Sequence, residues 1–282
     1  MDNENGKCAG TPAVSVCIPT FRGDAFLRPA IDSVLAQTFL DFELIIVDDH
    51  SPDETSALVA CYDDKRIRYL RNNENLGPQG NWNRCLAEAK GKYFKLMPQD
   101  DLLERDCLTR QVEVLEQDAA NEIALVFCAR NIIGPSGTTL LRRGFPGGVE
   151  GPVLAKTIIA GCVRRGTNLM GEPAAVMIRR EFAIGLGWFD AANPYVIDLD
   201  YWFRLLARGD GYYIPQPLAS FRVLPTSWSV AIGARQTSDF RRFISKVVRE
   251  RGDIRWLDRA SGYVMAHVNT ILRHIFYRFV LN

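Results

Sequence analysis

Four short apolar runs alternate with segments of helical period across the first hundred residues, and nothing else in the chain narrows the fold as much. The runs are Val14–Ile18, Phe42–Val47, Ile67–Leu70 and Lys92–Met97. Phe42–Val47 is apolar almost without interruption, as a strand buried on both faces is. After the first run, Asp24–Gln37 sets Phe26, Leu27, Ile31, Val34 and Leu35 on one face at helical spacing, with Asp24 as its candidate cap. Segments 53–62 and 79–89 read as two further helices. The order β-α-β-α-β-α-β predicts a parallel sheet with helices on both faces and right-handed crossovers.

Each strand end then matters, because ligands of open α/β sheets bind at the carboxyl edge. Pro19, Thr20 and Phe21 follow the first strand, Asp48 and Asp49 the second, and Gln99, Asp100 and Asp101 the fourth. Adjacent carboxylates at one edge repel unless a positive charge joins them. A hard cation such as Mg²⁺ or Mn²⁺, held by one or two carboxylates and substrate phosphates, meets that need. The alternative is helix capping, a favoured role of Asp. Convergence of three polar loops on one edge weighs toward a ligand.

Composition removes several classes. The 282 residues carry a formal net charge of +1, which leaves no basic field for nucleic acid. Seven scattered cysteines without a C-x-x-C pair argue against structural zinc or a redox dithiol and for a reducing, cytoplasmic compartment. Residues 1–12 read as a loose tail without signal-peptide character. No apolar run approaches the ~18 residues of a membrane span.

The segments Val14–Arg22, Ile45–Asp53, Asn73–Gly77 and Met97–Asp101 together resemble the nucleotide-sugar-binding half of the family 2 glycosyltransferases, and the resemblance extends to about Ser229. It implies the GT-A fold: an α/β unit over 13–230 with a mostly parallel central sheet, a nucleotide half 13–104 and an acceptor half 105–230. It implies a base pocket lined by Pro19, Thr20 and Phe21, with Asp49 on the base or ribose and Asn83 near the nucleotide. Gln99-Asp100-Asp101 stands at the D-x-D position, with Asp100 by the ribose and Asp101 as direct ligand of Mn²⁺ or Mg²⁺. The implied partners are a nucleotide-sugar donor, most often a UDP-sugar, and a saccharide or lipid-linked saccharide acceptor in surface-polysaccharide synthesis.

In the second half, Ile132–Phe145 reads as a hairpin turning at Pro135-Ser136-Gly137, and 144–151 as a Gly/Pro-rich loop over the site. Val196–Leu206 is a buried helix with Asp198 at its start. The resemblance makes Asp198 the base of an inverting transfer, although Ile197 stands where the family often has Glu; capping is compatible with that role. Asp200 is expected to pair with Arg204 at i+4. Arg222, Glu172, Trp188 and Ser227 are candidate diphosphate or acceptor contacts, with Leu224 where many members carry His. From Ala231 the composition turns helical, and 262–282 has a broad apolar face suited to packing on the domain, to a homodimer or to the inner surface of a membrane. A nucleotidyltransferase and a catalytically silent nucleotide-sugar-binding module are the alternatives; the first normally has a Gly-rich, basic loop after strand one, which Pro19–Gly23 is not.

Overall fold

The computed structural model describes residues 10–233 and 235–280, apart from the side chains of Trp228 and Ser229. Most of the expected N-terminal tail lies outside the described residues.

The chain runs β1 (Val14–Thr20), α1 (Leu27–Leu35), β2 (Phe42–Asp48), α2 (Thr55–Ala60), β3 (Ile67–Arg71), α3 (Gly77–Glu88), β4 (Tyr93–Leu96) and β5 (Leu102–Leu103). It continues α4 (Cys107–Gln117), β6 (Ile123–Ile133), β7 (Thr139–Arg143), β8 (Gly151–Val153), α5 (Ala155–Arg165), β9 (Val176–Arg179) and α6 (Arg180–Ala183). It ends α7 (Ile197–Leu205), β10 (Asp210–Arg222), α8 (Trp228–Ile232), α9 (Arg235–Glu250) and α10 (Trp256–Val280). One sheet joins the strands in the order β3-β2-β1-β4-β9-β6-β10-β5, with β7 on β6 and β8 on β10.

The expected β-α alternation is present, and β3, β2, β1 and β4 pair in parallel. Beyond β4 the sheet is mixed rather than mostly parallel. β9 runs antiparallel to both β4 and β6, and β10 returns parallel to β6. The apolar runs lie buried on both faces: Val16, Ile18, Leu44 and Ile46 point into one core layer, Cys17, Ile45 and Val47 into the other. This two-sided burial is why these strands lack polar alternation. The hairpin is β6–β7, turning where Gly137 N–H meets the Gly134 carbonyl at 3.0 Å.

The expected caps are not formed. α1, α2, α4 and α7 start at Phe26, Glu54, Asp106 and Val196 without a capping side-chain bond, so Asp24, Asp48, Asp49, Asp100 and Asp101 are not helix caps. Among the described residues six cysteines are free, five of them buried.

The C-terminal helices are part of the domain rather than an appendage. Gly166 ends α5 in a left-handed conformation (φ 58°), and a Cβ there would stand 2.4 Å from the Ala266 nitrogen. A Cβ on Gly262 would stand 2.1 Å from the Val163 carbonyl oxygen. These two glycines let α10 lie directly against α5, while Phe240, Phe243, Ile244 and Val247 of α9 join the core around α7. No described helix is long and apolar enough to cross a membrane.

Candidate functional site

A cleft of ≈ 690 Å³ opens at the carboxyl edge of β1, β2 and β4 and is lined as well by the 194–199 segment, α9 and α10. Pro19, Thr20, Phe21, Asp49, Gln99 and Asp100 all line it. The first loop is fixed to the third: Gln99 Oε1 accepts the Phe21 N–H at 3.0 Å and also the Thr20 hydroxyl, and Gln99 Nε2 donates to the Phe21 carbonyl at 3.1 Å. Asp49 Oδ1 accepts Asn72 Nδ2 at 2.6 Å and the Leu76 N–H at 2.8 Å. One carboxylate thus ties the ends of β2 and β3 to the start of α3. Its neighbour Asp48 faces inward, accepting the Ser51 N–H at 2.9 Å and the Tyr69 hydroxyl at 2.5 Å.

Asp100 and Asp101 divide their roles differently from the expectation. Asp100 lines the cleft, whereas Asp101 lies beneath it at 0% exposure. Asp101 Oδ1 accepts the Arg222 N–H at 3.0 Å, and Oδ2 is buried without a partner. Asp101, expected as the direct metal ligand, thus lies behind Asp100, which is the acid that lines the cleft. Burial raises both carboxyls, Asp101 well above the usual range and further through Asp100 and Glu172. Arg222, expected as a diphosphate or acceptor contact, is turned to the protein. Its guanidinium is used on the carbonyls of Asp100 (2.9 Å), Gly134 (3.2 Å) and Pro135 (3.0 Å), which locks the acid turn to the β6–β7 turn.

The donor set suits a hard divalent cation: all-oxygen, mutually repelling, with an orphan carboxylate oxygen behind it. Among the described residues no three acidic, His or Cys side chains form a ready cage. Substrate oxygens would complete the coordination.

Asp198, in the first turn of α7, also lines the cleft. Its Oδ1 accepts the Leu199 N–H at 2.8 Å and Oδ2 accepts Asn168 Nδ2 at 3.1 Å. Burial, helped by the nearby Glu172 charge, pushes its carboxyl up to about 7. Glu172 also lines the cleft. Burial acts to raise it, but the ion pair with Arg130 prevails and holds it below the usual range. Gly171 makes that pair possible: at φ 102°, a Cβ would stand 2.9 Å from the Arg130 side chain. Ser227 lines the cleft and accepts the Leu224 N–H at 3.0 Å; Leu224 and Thr226 lie beside it. Asp200 points away and pairs with Arg204, as expected, and also with Lys246 at 2.6 Å.

Two further expected contacts, Asn83 and Trp188, lie off the cleft. Asn83 does not reach the cleft. Its amide accepts the Phe189 N–H at 2.8 Å and donates to the Phe189 carbonyl at 3.3 Å. Phe189 in turn stacks on Tyr201 with ring centroids 4.1 Å apart, so Asn83 anchors the loop leading to Asp198. Asn81 of α3 does line the cleft, with Gly77, Pro78 and Trp82 of the same helix, and its Nδ2 donates to Val47 O at 2.9 Å. Trp188 lies outside the cleft, 57% exposed at a separate hollow beside Ile184.

Sequence reasoning missed Asn168, Arg130, Arg143, Phe240, Arg273 and Tyr277, all on the cleft wall. Phe240, Arg273 and Tyr277 come from α9 and α10. The one available signal was an Arg set within the apolar period of α10.

Fold and site together define an α/β domain with an acid-lined cleft at the carboxyl edge of its sheet, lined also by the C-terminal helices. The glycosyl transferase family 2 profile matches residues 15–180, and the chain belongs to that family. This accords with the GT-A expectation and leaves the nucleotidyltransferase alternative without support. An uncharacterised glycosyltransferase of Rickettsia typhi is 28% identical over 220 residues, 76% of this chain and 64% of that protein. The GalNAc(5)-diNAcBac-PP-undecaprenol beta-1,3-glucosyltransferase of Campylobacter jejuni is 39% identical over 119 residues, 41% of this chain and 37% of its own. A Bacillus subtilis protein named for teichuronic acid biosynthesis is 29% identical over 77% of this chain and 82% of its own. The chain spans about two thirds (66% and 64%) of the length of relatives from Mycobacterium tuberculosis and Rickettsia typhi. Among solved structures, S. aureus TarS 1-349 in complex with UDP-GlcNAc superposes with a TM-score of 0.65 at 16% identity, covering 94% of this chain and 73% of its own. The mannosyltransferase PcManGT of Pyrobaculum calidifontis, in complex with GDP-Man and Mn²⁺, gives 0.62 at 18% identity, covering 93% and 70%. At these identities the likeness is one of fold.

Proposed function

We propose that this chain is an inverting glycosyltransferase that moves a sugar from a nucleoside-diphosphate sugar, with UDP the favoured base carrier, to a hydroxyl of a saccharide or lipid-linked saccharide in surface-polysaccharide synthesis. The observation that carries the reading is Asp198: a carboxylate poised near neutrality, in the same cleft as Pro19–Phe21, Asp49 and Asp100. A base works best with a pKa near the operating pH.

Pro19, Thr20, Phe21 and Asp49 hold the nucleoside, with Asn81 beside them. Asp198 takes the proton from the acceptor hydroxyl as its oxygen forms the new bond to the anomeric carbon. The bond from that carbon to the diphosphate breaks, and the nucleoside diphosphate leaves with the electron pair. Glu172, tied to Arg130, orients the acceptor and is not free to attack. Mn²⁺ or Mg²⁺ held by Asp100 and the donor phosphates would supply Lewis-acid stabilisation of the departing diphosphate. A cytoplasmic setting at the inner face of a membrane fits the reading, because α10 turns Val264, Ile271, Ile275 and Phe279 outward and one relative is named for a polyprenol-linked substrate.

A thermal-shift panel of UDP, GDP, dTDP and CDP, with and without Mn²⁺, tests the reading, since a ligand of the native state raises Tm by mass action. One nucleotide stabilising strongly, and only with metal, is the expected result. No shift with any of them would overturn it. Nucleotide binding with neither transfer nor donor hydrolysis would favour the silent binding module.

A further inference from the structure

Of the cationic side chains on the cleft wall, Arg130 is neutralised by Glu172. Arg273 is not: among the described residues no carboxylate lies within ion-pair distance of it. It is nevertheless held in place. Its Nε donates to Gln236 Oε1 at 2.7 Å, and Gln236 is itself 1% exposed. Its guanidinium lies over the Tyr195 ring, 5.2 Å from the centroid. Tyr195 is fixed from α9, where Asp239 Oδ2 accepts its backbone N–H at 3.3 Å. With Nε engaged and the plane stacked, the two terminal nitrogens remain as a fork, the geometry that matches a carboxylate or phosphate.

Position says which substrate supplies that group. Arg273, Tyr277 and Tyr195 line the cleft together with Glu172 and Asp198, whose charges are felt at Tyr195. The Pro194–Val196 turn that carries Tyr195 leads directly into α7 and Asp198.

We infer that Arg273, delivered by the C-terminal helix, is an oxyanion-recognising specificity residue, and that the acceptor carries a phosphate or carboxylate close to the hydroxyl it offers Asp198. The inference rests on the transferase reading above and names the acceptor class for the same cleft. It also gives α10 a role within the site.

The test is calorimetric titration of the protein saturated with UDP and Mg²⁺, using inorganic phosphate, glucuronate, and glucose as the neutral reference. At least one anion is expected to bind additively with UDP and glucose not to bind. Phosphate identifies a phosphorylated acceptor and glucuronate a uronate. Arg273→Gln should weaken the anion by roughly 10–100-fold, the range for hydrogen bonds to a charged group, while leaving UDP affinity unchanged. That unchanged affinity also shows that the variant folds. Arg273→Lys should retain part of the binding, as a point charge without the fork. Three results would each overturn the inference: an anion that displaces UDP, which would give Arg273 to the donor diphosphate; no anion binding; or equal binding by Arg273→Gln. A wild-type protein that fails to bind UDP would overturn the transferase reading, and the inference with it, a result distinct from UDP binding without anion binding.

Discussion

Replacing Asp198 by Asn should slow the enzyme and stabilise the fold, and the second effect should depend on pH. The carboxyl is held at about 7 against an ordinary 3.8. At ~1.4 kcal/mol per tenfold change in proton affinity, that gap corresponds to roughly 4 kcal/mol against the ionised form in the native state. Asp198 is only half-buried by exposure, so solvent screening cuts the figure to roughly 2 kcal/mol. Asn keeps one acceptor for two donors, Leu199 N–H and Asn168 Nδ2, and the lost bond costs about 1 kcal/mol. The net is a gain of about 1 kcal/mol at pH 8–9, or roughly 2–4 °C in Tm for a domain of this size.

The sign follows from the raised pKa. Native protein binds the proton more tightly than unfolded chain, so wild type is favoured below about 4 and loses that advantage as pH climbs through about 7. The Tm difference between Asp198→Asn and wild type should therefore open above neutrality and shrink or reverse in acid. Turnover should fall roughly 10²–10⁴-fold, the loss expected for a positioned base. Wild-type kcat/KM should rise with pH through an apparent pKa near 7. Differential scanning fluorimetry at pH 5–9 and nucleotide-release kinetics measure both. A Tm difference that does not vary with pH, or turnover retained by the variant, would refute the assignment.

Asp100→Asn should abolish the metal-dependent part of nucleotide affinity, while Asp101→Asn, which removes a buried charge repelled by Asp100 and Glu172, should keep it; calorimetry with UDP, with and without Mn²⁺, separates the two. Asn83→Ala should lower kcat with little change in donor KM, because it releases the Phe189 loop rather than a nucleotide contact, whereas Asn81→Ala should raise donor KM. Gly262→Leu would drive a side chain into the Val163 carbonyl; by shifting α10 from α5 it should cost about 1–3 kcal/mol, as overpacking does, and weaken anion binding at Arg273, read from denaturant midpoints and the titration above.

The Asp100/Asp101 pair shows why turns are hard to read. Two adjacent acids look equivalent in sequence, yet Asp100 lines the cleft and Asp101 is fully buried beneath it. Asn83, the expected nucleotide contact on α3, lies off the cleft while Asn81 lines it, for a related reason. Two positions on a helix differ by about 200° of rotation, and composition does not say which faces the ligand. Arg222, in a segment that resembles the family's closing stretch, read as a diphosphate or acceptor contact; the structure sets its guanidinium on three backbone carbonyls.

By itself the sequence determined the alternation of strands and helices, the carboxyl edge at which the polar loops meet, and the place of Asp198 at the head of a buried helix. These follow from periods and turn residues, which act within a few positions along the chain. Only the tertiary structure decided what depends on elements far apart in sequence. α10 closes the cleft because Gly166 and Gly262 allow it to lie on α5, and with it Arg273 comes to rest on Tyr195, 78 residues away in the chain. No local pattern encodes that contact, because it exists only once two surfaces, each incomplete alone, have packed together.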